Sequence, residues 1–346
     1  MKSVGMQMKK LLLGSLIVIV VGCNNSQMGH RQPPVPPVGS PTQQIIQKPV
    51  PQVYQISGPF PVLKEHLGIV MTIAFSPDNR RMASGDDHRT LIIWDTASWK
   101  VLQKINNIGG SMWWPSLTFS PDGHYLLVGN AVWDTDKGAL VHTLPGIPDD
   151  TRNKAAFSPD GDTLVTCGSY LIFWDTKTWK SIVRLTGGTT YMFGGVARPL
   201  EAVNVLFSPD GKTVASDWEQ NHGIKFADIR THNRKLALDD AHSPMAFSPD
   251  GSEFVAQTDI RGGTFKTWDA VTGAEKNKIE TTINACQFTP DGSLLTWNGA
   301  SYTKIDPKTG MTLSSFAGGG GVGCLSSDSR VYAYGSQYDI RFSQLP

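Results

Sequence analysis

One phrase returns seven times along this chain. It stands at Phe75-Ser-Pro-Asp78, Phe119-Ser-Pro-Asp122, Phe157-Ser-Pro-Asp160, Phe207-Ser-Pro-Asp210, Phe247-Ser-Pro-Asp250 and Phe288-Thr-Pro-Asp291, with a worn copy at Leu325-Ser-Ser-Asp328. Successive copies lie 44, 38, 50, 40, 41 and 37 residues apart. A period of about 40 residues is the length of a four-stranded unit that buries its faces only against neighbouring copies of itself. Seven such units, taken together, predict one closed all-β body.

Each phrase has a mechanical reading. The aromatic residue ends a buried strand, proline presets φ at the first corner of a type I turn, and aspartate tolerates the second. Glycine follows in five copies. Short alternating stretches come next, such as Arg81–Ser84 and Thr90–Trp94, rich in residues that suit a pleated surface. Helical periodicity is essentially absent, and the architecture this predicts is a seven-bladed β-propeller.

Beyond the phrases stand Trp94-Asp95, Trp133-Asp134, Trp174-Asp175 and Trp268-Asp269, with degraded forms at Phe226-Ala-Asp228, Ile305-Asp306 and Phe342-Ser343. With these dipeptides the chain resembles the WD-repeat β-propellers over residues 52–346. Repeat seven runs out after its third strand, near Tyr338 to Phe342, while Pro61–Glu65 precedes repeat one and reads as an outer strand. The expectation is a ring closed by this N-terminal strand, which completes the last blade and leaves no open edge. Deleting residues 52–66 should then abolish cooperative unfolding, whereas deleting 24–45 should not.

The N-terminal segment carries Lys2, Lys9 and Lys10, then the apolar run Leu11–Val21, then Gly22-Cys23. This is the layout of a secretory signal peptide over residues 1–22, and the apolar run is too short to span a bilayer, which needs roughly 20 residues. Val20-Val21-Gly22-Cys23 resembles the bacterial lipobox, which implies that Cys23 is lipidated and becomes the first mature residue. Several acyl chains on one residue exceed the marginal affinity of a single chain. Asn24 in place of aspartate implies, by the same resemblance, the outer membrane facing the periplasm. Residues 23–51 hold seven prolines among Gln, Ser and Gly, and read as an extended tether.

Composition narrows the partners. Removal of residues 1–22 leaves 28 Lys+Arg against 30 Asp+Glu, a formal charge of −2, so no nucleic-acid partner is implied. Three cysteines remain after Cys23, namely Cys167, Cys286 and Cys324, an odd number that leaves at least one unpaired. Strand alternation should point Cys286 and Cys324 to opposite faces.

Candidate chemistry is sparse. By resemblance to the family, His66, Ser84 and Trp94 fall where a blade's buried hydrogen-bonded network is built. The family's aspartate position is taken by His88, with Asp87 one residue earlier, and Asp87 is the expected acidic member. Trp133, Trp174 and Trp268 are the matching structural tryptophans. His66, Ser84 and Asp87 look like a catalytic triad, yet no Gly-x-Ser-x-Gly elbow accompanies them, and a buried imidazole needs partners on both nitrogens in any case. The six residues ending at each phrase form the inner strands, and none of the seven stretches contains Asp or Glu. His242 with Asp239 and Asp240 reads as a turn between blades rather than a metal site, and no Cys-x-x-Cys or His-Glu-x-x-His occurs. No cofactor and no catalytic residue is therefore expected.

The loops of one rim are unusually aromatic. Trp113 and Trp114 fall between the first two repeats, Tyr191, Met192, Phe193 and Arg198 in the longest repeat, and Trp218 and His222 in repeat four. Such residues dominate binding surfaces, so these eight are the expected binding rim. The function that follows is a non-catalytic scaffold or recognition module of the cell envelope, a monomeric ring holding a protein partner or a glycan and touching the membrane only through its lipid. The alternatives are a propeller enzyme of the lactonase or quinoprotein kind, and a TolB-like periplasmic propeller, whose family shares the Ser-Pro-Asp-Gly phrase.

Overall fold

The computed structural model describes residues 53–108, 116–147, 154–186, 190–193, 196–199, 201–218, 223–258, 263–281, 285–297, 301–317 and 322–345. The regular elements among them are all strands, and they assemble as the seven blades of a β-propeller. Blade one is a meander of Val70–Phe75, Arg81–Asp86, Leu91–Asp95 and Val101–Ile105, each strand pairing antiparallel with the next. Blades two to six repeat this order, their inner strands being Leu117–Phe119, Ala155–Phe157, Ala202–Phe207, His242–Phe247 and Ala285–Phe288. Blade seven has three strands of its own, Gly323–Leu325, Val331–Ser336 and Asp339–Gln344. A separate hairpin, Thr190–Phe193 with Val196–Pro199, stands between blades three and four in the longest repeat.

The recurring phrase makes the turn from inner to second strand. In blade one Ser76 Oγ donates to Asp78 Oδ1 at 2.6 Å and accepts from the amide of Arg81 at 2.9 Å, and the other blades repeat the first contact. The residue after the aspartate has a left-handed φ in all seven copies, from 57° to 83°. Glycine adopts that conformation without steric penalty, which accounts for the five glycines. Asn79 and Ser329 are the two exceptions.

Asn79 is at that position because its side chain fastens the ring. Its Nδ2 donates to the carbonyl of Tyr54 at 3.2 Å, and its Oδ1 accepts from the amide of Ser327 in blade seven at 2.7 Å. Higher up, Leu63 and Ile340 exchange both backbone hydrogen bonds, at 3.0 and 2.9 Å, so the segment before blade one supplies the fourth strand of blade seven as the sequence predicts. At the opposite rim the Val70 amide donates to the carbonyl of Gln337 at 2.8 Å. Beneath these contacts Ile56, Leu63, Val70, Ile73, Met82, Trp94, Val331, Ala333 and Ile340 form one buried cluster across the seam. Trp99 and Phe342 meet at 4.3 Å between ring centroids and Phe60 stacks on Phe342, so the outer wall of the seam is aromatic.

Candidate functional site

The strongest polar constellation sits in blade one. Trp94 Nε1 donates to Ser84 Oγ at 2.8 Å, Ser84 Oγ lies 2.7 Å from His66 Nε2, and His66 Nδ1 lies 2.9 Å from Asp86 Oδ2. Proton counting fixes the directions. The ionised carboxylate only accepts, so the imidazole proton is on Nδ1; Nε2 of the neutral ring then accepts, the serine gives its one proton to Nε2, and the indole, which is only a donor, donates to the serine oxygen. Asp86 also accepts from the amides of Thr90 at 2.8 Å, His88 at 3.1 Å and Gly68 at 3.4 Å.

Burial lowers the pKa of His66 more than the Asp86 carboxylate raises it, which keeps the imidazole neutral and the proton count above intact. Asp86 is held below the usual carboxylate range; its burial opposes this, and the bonds from His66 and Thr90 outweigh it. His66, Ser84 and Asp86 are 3%, 0% and 5% exposed, so the serine is sealed from any substrate and the constellation is a structural lock. The acidic member is Asp86 and not Asp87, a correction to the sequence reading. Ser84 and Asp86 are two residues apart in one strand and share a face, while Asp87 Oδ1 turns outward to accept from the Ile69 amide at 2.7 Å.

Other blades keep parts of this lock. Trp174 donates to Thr166 Oγ1 at 2.9 Å in blade three. In blade two the register that carries Ser84 carries Val128, and the Trp133 indole nitrogen is buried with no partner among the described residues. Trp268 is 3% exposed and packs with Phe226, Phe247 and Phe254. In blade four Ala227 takes the place of the tryptophan, and Trp218 replaces it from the end of the second strand, donating to Ser216 Oγ at 2.9 Å. Trp218 is thus 2% exposed in the core between blades three and four and offers no binding face, contrary to its expected place on the rim.

Of the remaining rim residues, Trp113, Trp114 and His222 lie outside the described residues, as does Cys23. Tyr191, Met192, Phe193 and Arg198 occupy the extra hairpin, where Tyr191 is registered opposite Arg198. His242, Asp239 and Asp240 disperse to different partners. His242 Nδ1 faces buried Asp217 at 3.9 Å, Asp239 faces Arg234 at 4.0 Å and Asp240 faces Lys266 at 3.4 Å. Asp217, raised by burial, accepts from the Ser243 amide at 2.8 Å and joins blade four to blade five. The three cysteines are free; burial pushes the Cys286 thiol up to about 12 and raises Cys167 and Cys324 as well, which keeps them unreactive. Cys286 packs toward blade five and Cys324 toward blade one.

The side chains that the described rim does present were not singled out in the sequence. Leu67 is 77% exposed, Ile69 45%, Tyr338 51% and Tyr170 40%, all on loops of the rim opposite the Ser-Pro-Asp turns. On the Ser-Pro-Asp rim a groove of about 630 Å³ opens between blades six and seven, lined by Val53, Asp291, Lys304, Asp328 and Arg330.

Residues 58–95 match the family model described as WD domain, G-beta repeat, and this stretch contains His66, Ser84, Asp86 and Trp94. The chain is 27% identical over 164 residues to the small ribosomal subunit protein RACK1 of Caenorhabditis elegans, covering 45% of this chain and 49% of that one. It is 27% identical over 207 residues to the WD repeat-containing protein 26 homolog of Drosophila melanogaster, covering 56% and 31%. To protein HIR1 of Yarrowia lipolytica it is 25% identical over 231 residues, covering 66% and 16%. The chain thus spans about half or less of the length of these relatives. The complete lock of blade one, the matched repeat and these likenesses together support a WD-repeat β-propeller.

Proposed function

We propose that this protein is an exported lipoprotein, anchored through Cys23 to the outer membrane and facing the periplasm, whose propeller holds a protein partner and performs no catalysis. The anchor reading is supported by the order of Lys2, Lys9 and Lys10, the run Leu11–Val21 and the tetrapeptide ending at Cys23. The observation that carries the scaffold reading is a closed ring in which the blade-one Ser-His-Asp constellation is sealed inside the blade, while Leu67 and Tyr338 stand exposed on one rim and Val271 and Met311 on the other. A relative named as a ribosomal subunit protein works within an assembly, which agrees with a binding role. The ring acts as a monomer, and glycans are a second class of ligand for the same rim.

Fractionation tests the anchor. Wild type sediments with membranes and its N-terminal peptide carries the mass of a lipidated cysteine; Cys23→Ser is expected to lack that mass, with the apolar segment uncut or cut elsewhere. A wild-type N-terminal peptide with no added mass on Cys23 would remove the lipoprotein reading. Reaction with lactone or quinone-dependent substrates would remove the non-catalytic one.

A further inference from the structure

We propose that the interface between blades six and seven holds a small-molecule site, a cavity that takes one uncharged aromatic ring bearing a hydrogen-bond acceptor. The cavity exists because the seventh repeat is worn. In blade six the anchor Phe288 packs with Val255 and Phe265 of blade five, whereas at the same register of blade seven Leu325 packs with Leu295 and Tyr302 of blade six. Two residues earlier, on the same face, Gly323 stands where blade one has Ile73 and blade four has Val205. A phenyl ring and a branched aliphatic chain are thus missing from one interface, and surroundings collapse only partly into such gaps. What remains is a cavity of about 220 Å³, walled by Leu295, Trp297, Tyr302, Leu325 and Tyr332.

The walls are ordered rings. Trp297 stacks on Tyr302 with 6.3 Å between centroids, Tyr302 leans on Tyr332 at 4.5 Å, and Tyr332 stacks on Tyr334 at 5.6 Å. Glycine at 323 is what lets Tyr332 lie here, since a Cβ at that position would collide with the Tyr332 hydroxyl. Tyr302 and Tyr332 are buried, while Gly323 is exposed at the start of the inner strand and leaves the cavity an open end. Side chains fixed in this way lose little freedom when a ligand enters.

Size and polarity select the ligand. An apolar cavity of about 150 Å³ takes benzene, so this one has room for a single substituted ring. No charged side chain lines it, and an ion would be buried there without a counter-charge. The aromatic walls offer donors. Tyr302 gives its proton to the Tyr332 oxygen, which leaves Tyr332's own proton for another acceptor, and the Trp297 indole nitrogen is buried with no partner among the described residues. Gln287 and Thr296, also on the wall, spend their donors on Ser329 Oγ at 3.4 Å and on the Thr303 carbonyl at 3.0 Å. A ring carrying a carbonyl accepts from Tyr332 and stacks its faces on the aromatic walls.

The experiment titrates the full chain with acetophenone, toluene and benzoate, and follows the Trp297 indole resonance in proton–nitrogen spectra, identified as the one that Trp297→Phe removes. Acetophenone is expected to shift this resonance and to bind about 10-fold more tightly than toluene, the worth of one good hydrogen bond, while benzoate stays out. Leu325→Phe restores the residue of the other anchors and fills the space, so it should keep or raise the unfolding midpoint and weaken acetophenone binding by about 10-fold or more. Tyr332→Phe keeps the ring without its hydroxyl and should erase the preference for acetophenone over toluene, a test that stands even if Leu325→Phe does not fold. No shift at millimolar acetophenone, binding undiminished in a folded Leu325→Phe, a preference unchanged in Tyr332→Phe, or benzoate binding as well as acetophenone overturns the site.

Discussion

Blades one and two begin from the same phrase and carry the same Trp-Asp pair, yet they solve the burial of tryptophan differently. Blade one surrounds Trp94 with a serine, a histidine and an aspartate in an unbroken chain of hydrogen bonds; blade two places Val128 at the serine's register and leaves the Trp133 indole nitrogen without a partner among the described residues. Its inner and second strands are also shorter, three and four residues against six and six. Blade four shows a third solution, with the indole arriving from another strand. A tryptophan's bulk recurs in blades one to five, whereas Ile305 and Ser343 stand at the register of Trp94 in blades six and seven, and the polar chain is complete where the ring closes. Blade one follows directly on the strand that completes blade seven, so the loop between that strand and its own inner strand crosses the seam and is fixed there by side chains.

The largest test of that contrast is Asp86→Ala, which strands the His66 proton and three backbone amides. It should lower unfolding stability by about 3–5 kcal/mol in denaturant titration, given a penalty of about 1–3 kcal/mol for each buried group left unpaired and some relief from water. Ser84→Val imports blade two's solution into blade one and should lower stability by about 2–3 kcal/mol, since Trp94 and His66 each lose a partner. A loss below about 0.5 kcal/mol would mean the chain is ornamental.

Protonation gives a smaller effect. His66 has a lowered pKa, so as pH falls through about 6.5 the unfolded imidazole takes up a proton that the folded one refuses, and stability drops. Asp86 is also lowered; its contribution is complete above the unfolded carboxylate pKa and is lost as pH falls through the folded value. Denaturant midpoints at pH 7, 6 and 5 should therefore decline, and His66→Gln should flatten the decline between pH 7 and 6. The smallest effect is the reverse transplant. Val128→Thr offers Trp133 an acceptor at nearly constant volume and should add about 0.5–1 kcal/mol. Destabilisation instead would show that the indole nitrogen is already served by solvent.

Much of the fold was legible because it is repeated. Seven phrases count seven blades, and the missing outer strand of blade seven points to Pro61–Glu65, where Leu63 pairs with Ile340. The site was less legible for a reason that lies in strand geometry. Spacing within a motif does not choose between adjacent residues such as Asp86 and Asp87, but alternation does: two residues on from Ser84 is Asp86, on the buried face. The same rule applied to Ser216 puts Trp218 inside, so both misplacements share one cause. Leu67 and Tyr338 carry no sequence signal, because their loops are brought side by side only when the ends of the ring meet.

That meeting also sets an order of events. Asn79 bonds Ser327, a contact 248 positions apart, and Ser327 Oγ donates to the Ser76 carbonyl over 251. Blades two to six each complete themselves from neighbouring chain, whereas blade one's clasp and blade seven's fourth strand wait for Ser327 and Ile340. A chain emerging from its N-terminus therefore carries an unpaired edge at Leu63 until Ile340 is released. Until then the half-made ring is open to any passing strand, and its safety during synthesis depends on how quickly the last blade arrives.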